Sequence, residues 1–151
     1  YWGGWVWFLY LLIVACAYIV IFLSDAKYRI IPNAVVIPTI IFVALFLLTN
    51  TAYDLATFYS NLSNDSFGKY LLQTGFFKSQ VLYSLKGLGV VFLSSLAISG
   101  FFYFLIFITK GRGMGFGDVK LGFLVGLVNG FPTNILAIFL GFLVGALYSL
   151  V

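Results

Sequence analysis

WVWFLYLLIVACAYIVIFLSD, residues Trp5 to Asp25, decides the fold class. Its apolar part, Trp5 to Leu23, is long enough as a helix to cross a bilayer core, which takes about 20 residues. Trp2, Trp5 and Trp7 stand at its start, where indole rings anchor a span at the membrane interface. It closes on Ser24-Asp25. The rest of the chain is alike: 63% hydrophobic and 8% charged, with a mean hydropathy of +1.13. No ordinary soluble domain has that composition. The expectation is an all-α, polytopic transmembrane helix bundle with about five membrane segments.

Beyond Asp25 come Lys27 and Arg29, then Ile31-Pro32-Asn33, where proline suits the first turn of a new helix. A second helix is expected from about Ala34 to Leu48, tolerating Pro38. Residues 49–86 carry Asp54, Asp65, Lys69, Lys78 and Lys86 among Tyr, Phe, Ser and Asn. They read as a polar loop with amphipathic pieces on the membrane surface. A third helix is expected over Gly87 to Thr109, a short fourth from Asp118 to about Val128, and a fifth from Thr133. Asn129-Gly130-Phe131-Pro132 is a turn signal. The chain opens on Tyr1 and closes inside an apolar run, so residues 1–151 are read as one transmembrane domain from a longer protein.

Counting crossings brings Asp25 and Asp118 to one face. That face carries Lys27, Arg29, Lys110, Arg112 and Lys120 in short connections, which makes it cytoplasmic by the positive-inside rule. Asp54 and Asp65 belong to the opposite side and face water.

Elimination narrows the chemistry. There is no His and no Glu, and Cys16 is the single cysteine. Ser-His-Asp and Cys-His systems and zinc motifs are therefore excluded. Cys16 lies mid-run and reads as a small apolar residue. The glycines of GRGMGFGDVKLG, Gly111 to Gly122, match neither the P-loop nor the dinucleotide fingerprint. Proton transfer falls to Asp, Lys or Tyr. An acidic residue at membrane depth is costly and is a functional candidate by default. Two neighbouring carboxylates can share a proton, one taking a proton from water while the other donates to a leaving group. The plainer alternative is that both acids are interfacial and paired with Lys27, Arg29 or Lys120.

Gly115-Phe116-Gly117-Asp118 resembles the G-x-G-D motif of intramembrane aspartyl proteases. GMGFGDVKLG together with SDAKYRIIPN is similar to the type IV prepilin peptidase family. The resemblance implies that Asp25 and Asp118 are catalytic, with Gly115, Gly117, Lys120 and Pro32 in the surrounding motif. It implies an aspartyl endopeptidase that cuts the leader from type IV pilin-like precursors at the cytoplasmic face of a bacterial or archaeal inner membrane. The partners it implies are that precursor and the bilayer, with no nucleic acid, and no cofactor is needed for cleavage. S-adenosylmethionine and zinc enter only with a further N-terminal region bearing paired C-x-x-C motifs, which these residues lack. A preflagellin- or presenilin-like relative would share the dyad. From another class, a transporter or channel subunit would use the acids as ion ligands, but acids at helix ends favour the peptidase. Lys120 is read either as lowering the pKa of a catalytic aspartate or as reaching lipid headgroups. Gly115 and Gly117 are expected to admit an extended substrate backbone, Gly117 with φ > 0 as one possibility. Gly122→Ala is expected to be mild.

Overall fold

The computed structural model describes residues 3–111 and 115–149, so Trp2, Arg112 and Gly113 lie outside the described residues. The described chain is helical throughout: α1 (Gly3–Tyr28), α2 (Asn33–Asn64), α3 (Ser66–Gln73), α4 (Phe76–Ile108), α5 (Phe116–Asn129) and α6 (Thr133–Ser149). Three of these, α1, α2 and α4, are long and apolar enough to cross a membrane, and α6 is a shorter apolar helix. Their large side chains point outward along much of their length, with Trp5 79% exposed and Phe107 76%. Helices apolar on all faces are suited to lipid.

The helices outrun their sequence-based bounds. Ala26 and Lys27 favour helix, and a cation in the last turn complements the helix dipole. So α1 continues past Leu23 to Tyr28, and Asp25 lies inside its last turn. Arg29 (φ 52°) then breaks the helix in the left-handed region, its N–H donating to the Asp25 carbonyl at 2.8 Å. Ser24 Oγ donates to the Ile30 carbonyl at 3.1 Å and tightens the turn. Pro32 caps α2 rather than entering it, with extended backbone (φ −74°, ψ 112°) and a carbonyl that accepts the N–H groups of Val35 and Val36.

Residues 49–86, read as a loop, are mostly helix. Polarity misled the reading because hydroxyls can return to their own backbone. Thr49, Thr51 and Thr57 donate to the carbonyls of Leu45, Leu47 and Tyr53 at 2.9–3.0 Å. Over its 32 residues α2 is therefore about 48 Å long, more than the hydrocarbon core requires. Its far end packs on the start of α4 through Tyr59 and Phe77, ring centres 5.2 Å apart. The amphipathic piece expected there is α3.

The core joins α1, α2 and α5. Tyr10, Val14 and Ile21 pack with Val36, Val43, Leu124 and Leu127. Tyr10 stacks on Phe46 at 4.1 Å, and Trp7 meets the same ring edge-on at 5.3 Å. The shortest of these three, α5, is the most enclosed: Gly122, Leu124, Gly126 and Leu127 are all buried. Two glycines let it lie against α4. A Cβ on Gly126 would stand 2.7 Å from Ser95 Cα, and one on Gly122 would run into the Phe102 ring. Gly122 thus faces a filled site, and an alanine there fits only if the Phe102 ring shifts. Asn134 Nδ2 donates to Ser94 Oγ at 2.9 Å and ties α6 to α4.

Candidate active site

Asp25 and Asp118 line one cleft of about 300 Å³, where the end of α1 meets the start of α5. Arg29, Ile31, Asn33, Gly115, Gly117 and Lys120 are also on its wall. The acids are 93 positions apart in sequence, and the antiparallel run of α1, α2 and α4 brings them together. Asp54 and Asp65 lie elsewhere and are exposed. Asp54 Oδ2 accepts a hydrogen bond from Asn50 Nδ2 at 3.1 Å.

Local structure fixes Asp118. The left-handed Lys110 (φ 51°) and Gly111 (φ 73°) close α4, with the Gly111 N–H donating to the Ile106 carbonyl at 3.0 Å. Gly115 precedes α5 in extended conformation (φ −93°, ψ 160°), and its N–H donates to Asp118 Oδ2 at 3.1 Å. One carboxylate oxygen of Asp118 thus caps its own helix, at the end where the dipole favours an anion. From α4, Ser99 Oγ donates to the Val119 carbonyl at 3.1 Å and holds this turn from behind.

Gly117 carries a packing role within the protein. It is not among the glycines with positive φ. A Cβ there would stand 2.8 Å from Ile31 Cβ and 3.1 Å from Ile31 Cδ1. Its missing side chain therefore seats α5 against the Ile31-Pro32 connection, within the protein. At Gly115 a Cβ would meet nothing closer than 3.9 Å. Of the two motif glycines, only Gly117 is required by packing.

Lys120 reaches inward. Its Nζ donates to Asn33 Oδ1 at 2.8 Å, bridging α5 to the first residue of α2. Asn33 lies outside the expected site residues, and its place just after Ile31-Pro32, where a helix begins, is the signal for it in the sequence. Arg29 also joins the cleft, carried there by the turn after α1.

The cleft presents two carboxylates, a guanidinium and an ammonium beside a backbone N–H, at the ends of apolar helices. Such a set can activate water, protonate a leaving group and hold a polar chain by its backbone. Residues 12–150 match the family model of the type IV leader peptidase family, a span containing both aspartates. No curated protein and no solved structure matches the chain.

Proposed function

As the chain belongs to the type IV leader peptidase family, we propose that this membrane peptidase works through Asp25 and Asp118 as an aspartyl endopeptidase. The observation that carries the reading is their placement in one cleft despite their distance in sequence. Asp118 is the base. The Gly115 N–H and the amino end of α5 support its charge, and it takes a proton from the attacking water. Asp25, in the last turn of α1, is the acid that protonates the departing amine. Water, two carboxylates and the peptide suffice for this cleavage, with no cofactor.

The substrate is a pilin-like precursor whose leader precedes an apolar helix. Purified protein in liposomes should release the leader from such a precursor, and mass spectrometry should place the new amino terminus just before the helix. A helical, monodisperse preparation that leaves the precursor intact would refute the assignment.

The cleft faces the cytoplasm in this reading. With Cys16 replaced by Ala, a cysteine at Lys27 should resist a membrane-impermeant thiol reagent until cells are opened. One at Asn64 should react in intact cells. The reverse pattern would turn the protein over.

A further inference from the structure

Another cleft, of about 400 Å³, opens between the start of α1 and the far part of α2. Its volume lies within the range of small-molecule sites, about 300–1,000 Å³. Val6 and Trp7 line it from α1. On α2 the wall positions 46, 49, 50, 53 and 54 fall on one helix face and pass from apolar Phe46 to polar Asn50, Tyr53 and Asp54. Helix length places this cleft in the membrane. Along α2, Asn33 at the catalytic cleft and Asp54 here stand about 32 Å apart, close to the roughly 30 Å of hydrocarbon. Asp54 therefore lies at the opposite interface, where Trp and Tyr rings settle among lipid headgroups. The two sites share no wall residue. Among the described residues Asp54 is the one charged group on this wall, and no lysine or arginine pairs with it. Its Oδ2 accepts from Asn50 Nδ2 at 3.1 Å, which leaves the negative charge uncompensated.

We propose that this cleft binds a phospholipid with a primary-amine headgroup, phosphatidylethanolamine. Its ammonium group meets Asp54, and an acyl chain passes Trp7 toward Phe46, deeper in the membrane. Val6 and Trp7 are exposed, so lipid has access to the cleft from the bilayer. Charge and hydrogen bonding choose the headgroup. Phosphatidylglycerol brings a negative charge against Asp54 and offers it no cation. Phosphatidylcholine brings a cation, and aromatic rings such as Trp7 and Tyr53 attract any cation near their faces. Its trimethylammonium nitrogen has no N–H to give, however. The ammonium of ethanolamine has three, and a hydrogen bond between ionised partners is about twice as strong as a neutral one. Asn50, with its amide nitrogen committed to Asp54, keeps a carbonyl oxygen as a further acceptor. A lipid held in this way bridges α1 and α2 at the end remote from Asp25 and Asp118.

The test is native mass spectrometry of the protein in detergent with equal amounts of phosphatidylethanolamine, phosphatidylcholine and phosphatidylglycerol of identical acyl chains. The protein should retain the first about fivefold over either of the others, a modest share of what a hydrogen bond to a charged group contributes. Asp54→Asn keeps an oxygen for Asn50 and should erase that preference. Asp54→Lys should reverse it in favour of phosphatidylglycerol. Asp65→Asn, exposed and off this wall, should leave it unchanged. A further measurement needs no variant. Phosphatidylethanolamine with a diazirine in its acyl chain should label the peptides that carry Trp7 and Phe46, and excess unlabelled phosphatidylethanolamine, but not phosphatidylcholine, should suppress the labelling. Equal retention of the three lipids, a preference that survives Asp54→Asn, or labelling confined to other helices would overturn the proposal.

Discussion

Asp118→Asn is expected to reduce leader cleavage by about 10²–10⁴-fold, the usual contribution of a positioned acid–base group. Asparagine keeps an oxygen that can accept the Gly115 N–H, a bond of 3.1 Å in the native protein, so the start of α5 should stay intact. What it loses is the capacity to take a proton from water. Asp25→Asn should cause a loss of similar size by removing the donor. Asp54→Asn and Asp65→Asn, both exposed and away from the cleft, should cleave at near the native rate. The measurement is the rate of leader release by each purified variant, with circular dichroism to verify its helices. Near-native turnover in Asp118→Asn would remove the dyad from the mechanism.

Gly117→Val is expected to be nearly as damaging, for a reason of geometry. Its side chain must displace Ile31, whose Cβ would lie 2.8 Å from the added Cβ, and a Cβ cannot swing aside as a side-chain tip can. Overpacking of this kind costs about 1–3 kcal/mol. Its larger effect is to push the start of α5 away from the Ile31-Pro32 connection and so from Asp25. Misplacement by about 1 Å can cost on the order of 10²-fold in rate. Gly115→Ala offers the contrast, since its Cβ would have ordinary clearance and should leave cleavage within a few-fold of native. Equal rates in the two variants would show that the Ile31 contact does not hold the cleft.

Those two glycines show what the sequence disclosed and what it withheld. Apolar run length was enough for the bundle, and helix order was enough to bring Asp25 and Asp118 to one end. Each is a property of the chain in one dimension. The motif glycines are equivalent on that reading, and only tertiary packing separates Gly117, against Ile31, from Gly115. The neighbour of Gly122 was hidden for the same reason, because nothing in its surroundings along the chain announces the Phe102 ring. Lys120 could be seen but not its partner, since Asn33 lies 87 residues away. The error at residues 49–86 was different: Ser and Thr signal loops when their hydroxyls bind turns, and here they bind the preceding helical carbonyls.

The shortness of α5 has a consequence for life in unlike membranes. Its 14 residues extend about 21 Å, well under the roughly 30 Å of hydrocarbon. It therefore takes its depth from the protein: Gly122 and Gly126 lock it to α4, and Lys120 pins it to α2. When lipid composition thins or thickens the bilayer, long helices adjust by tilting. A short helix clasped by its neighbours is carried with them as cargo. The depth of Asp118 thus follows α4 and α2, and bilayer thickness reaches it only through those two helices.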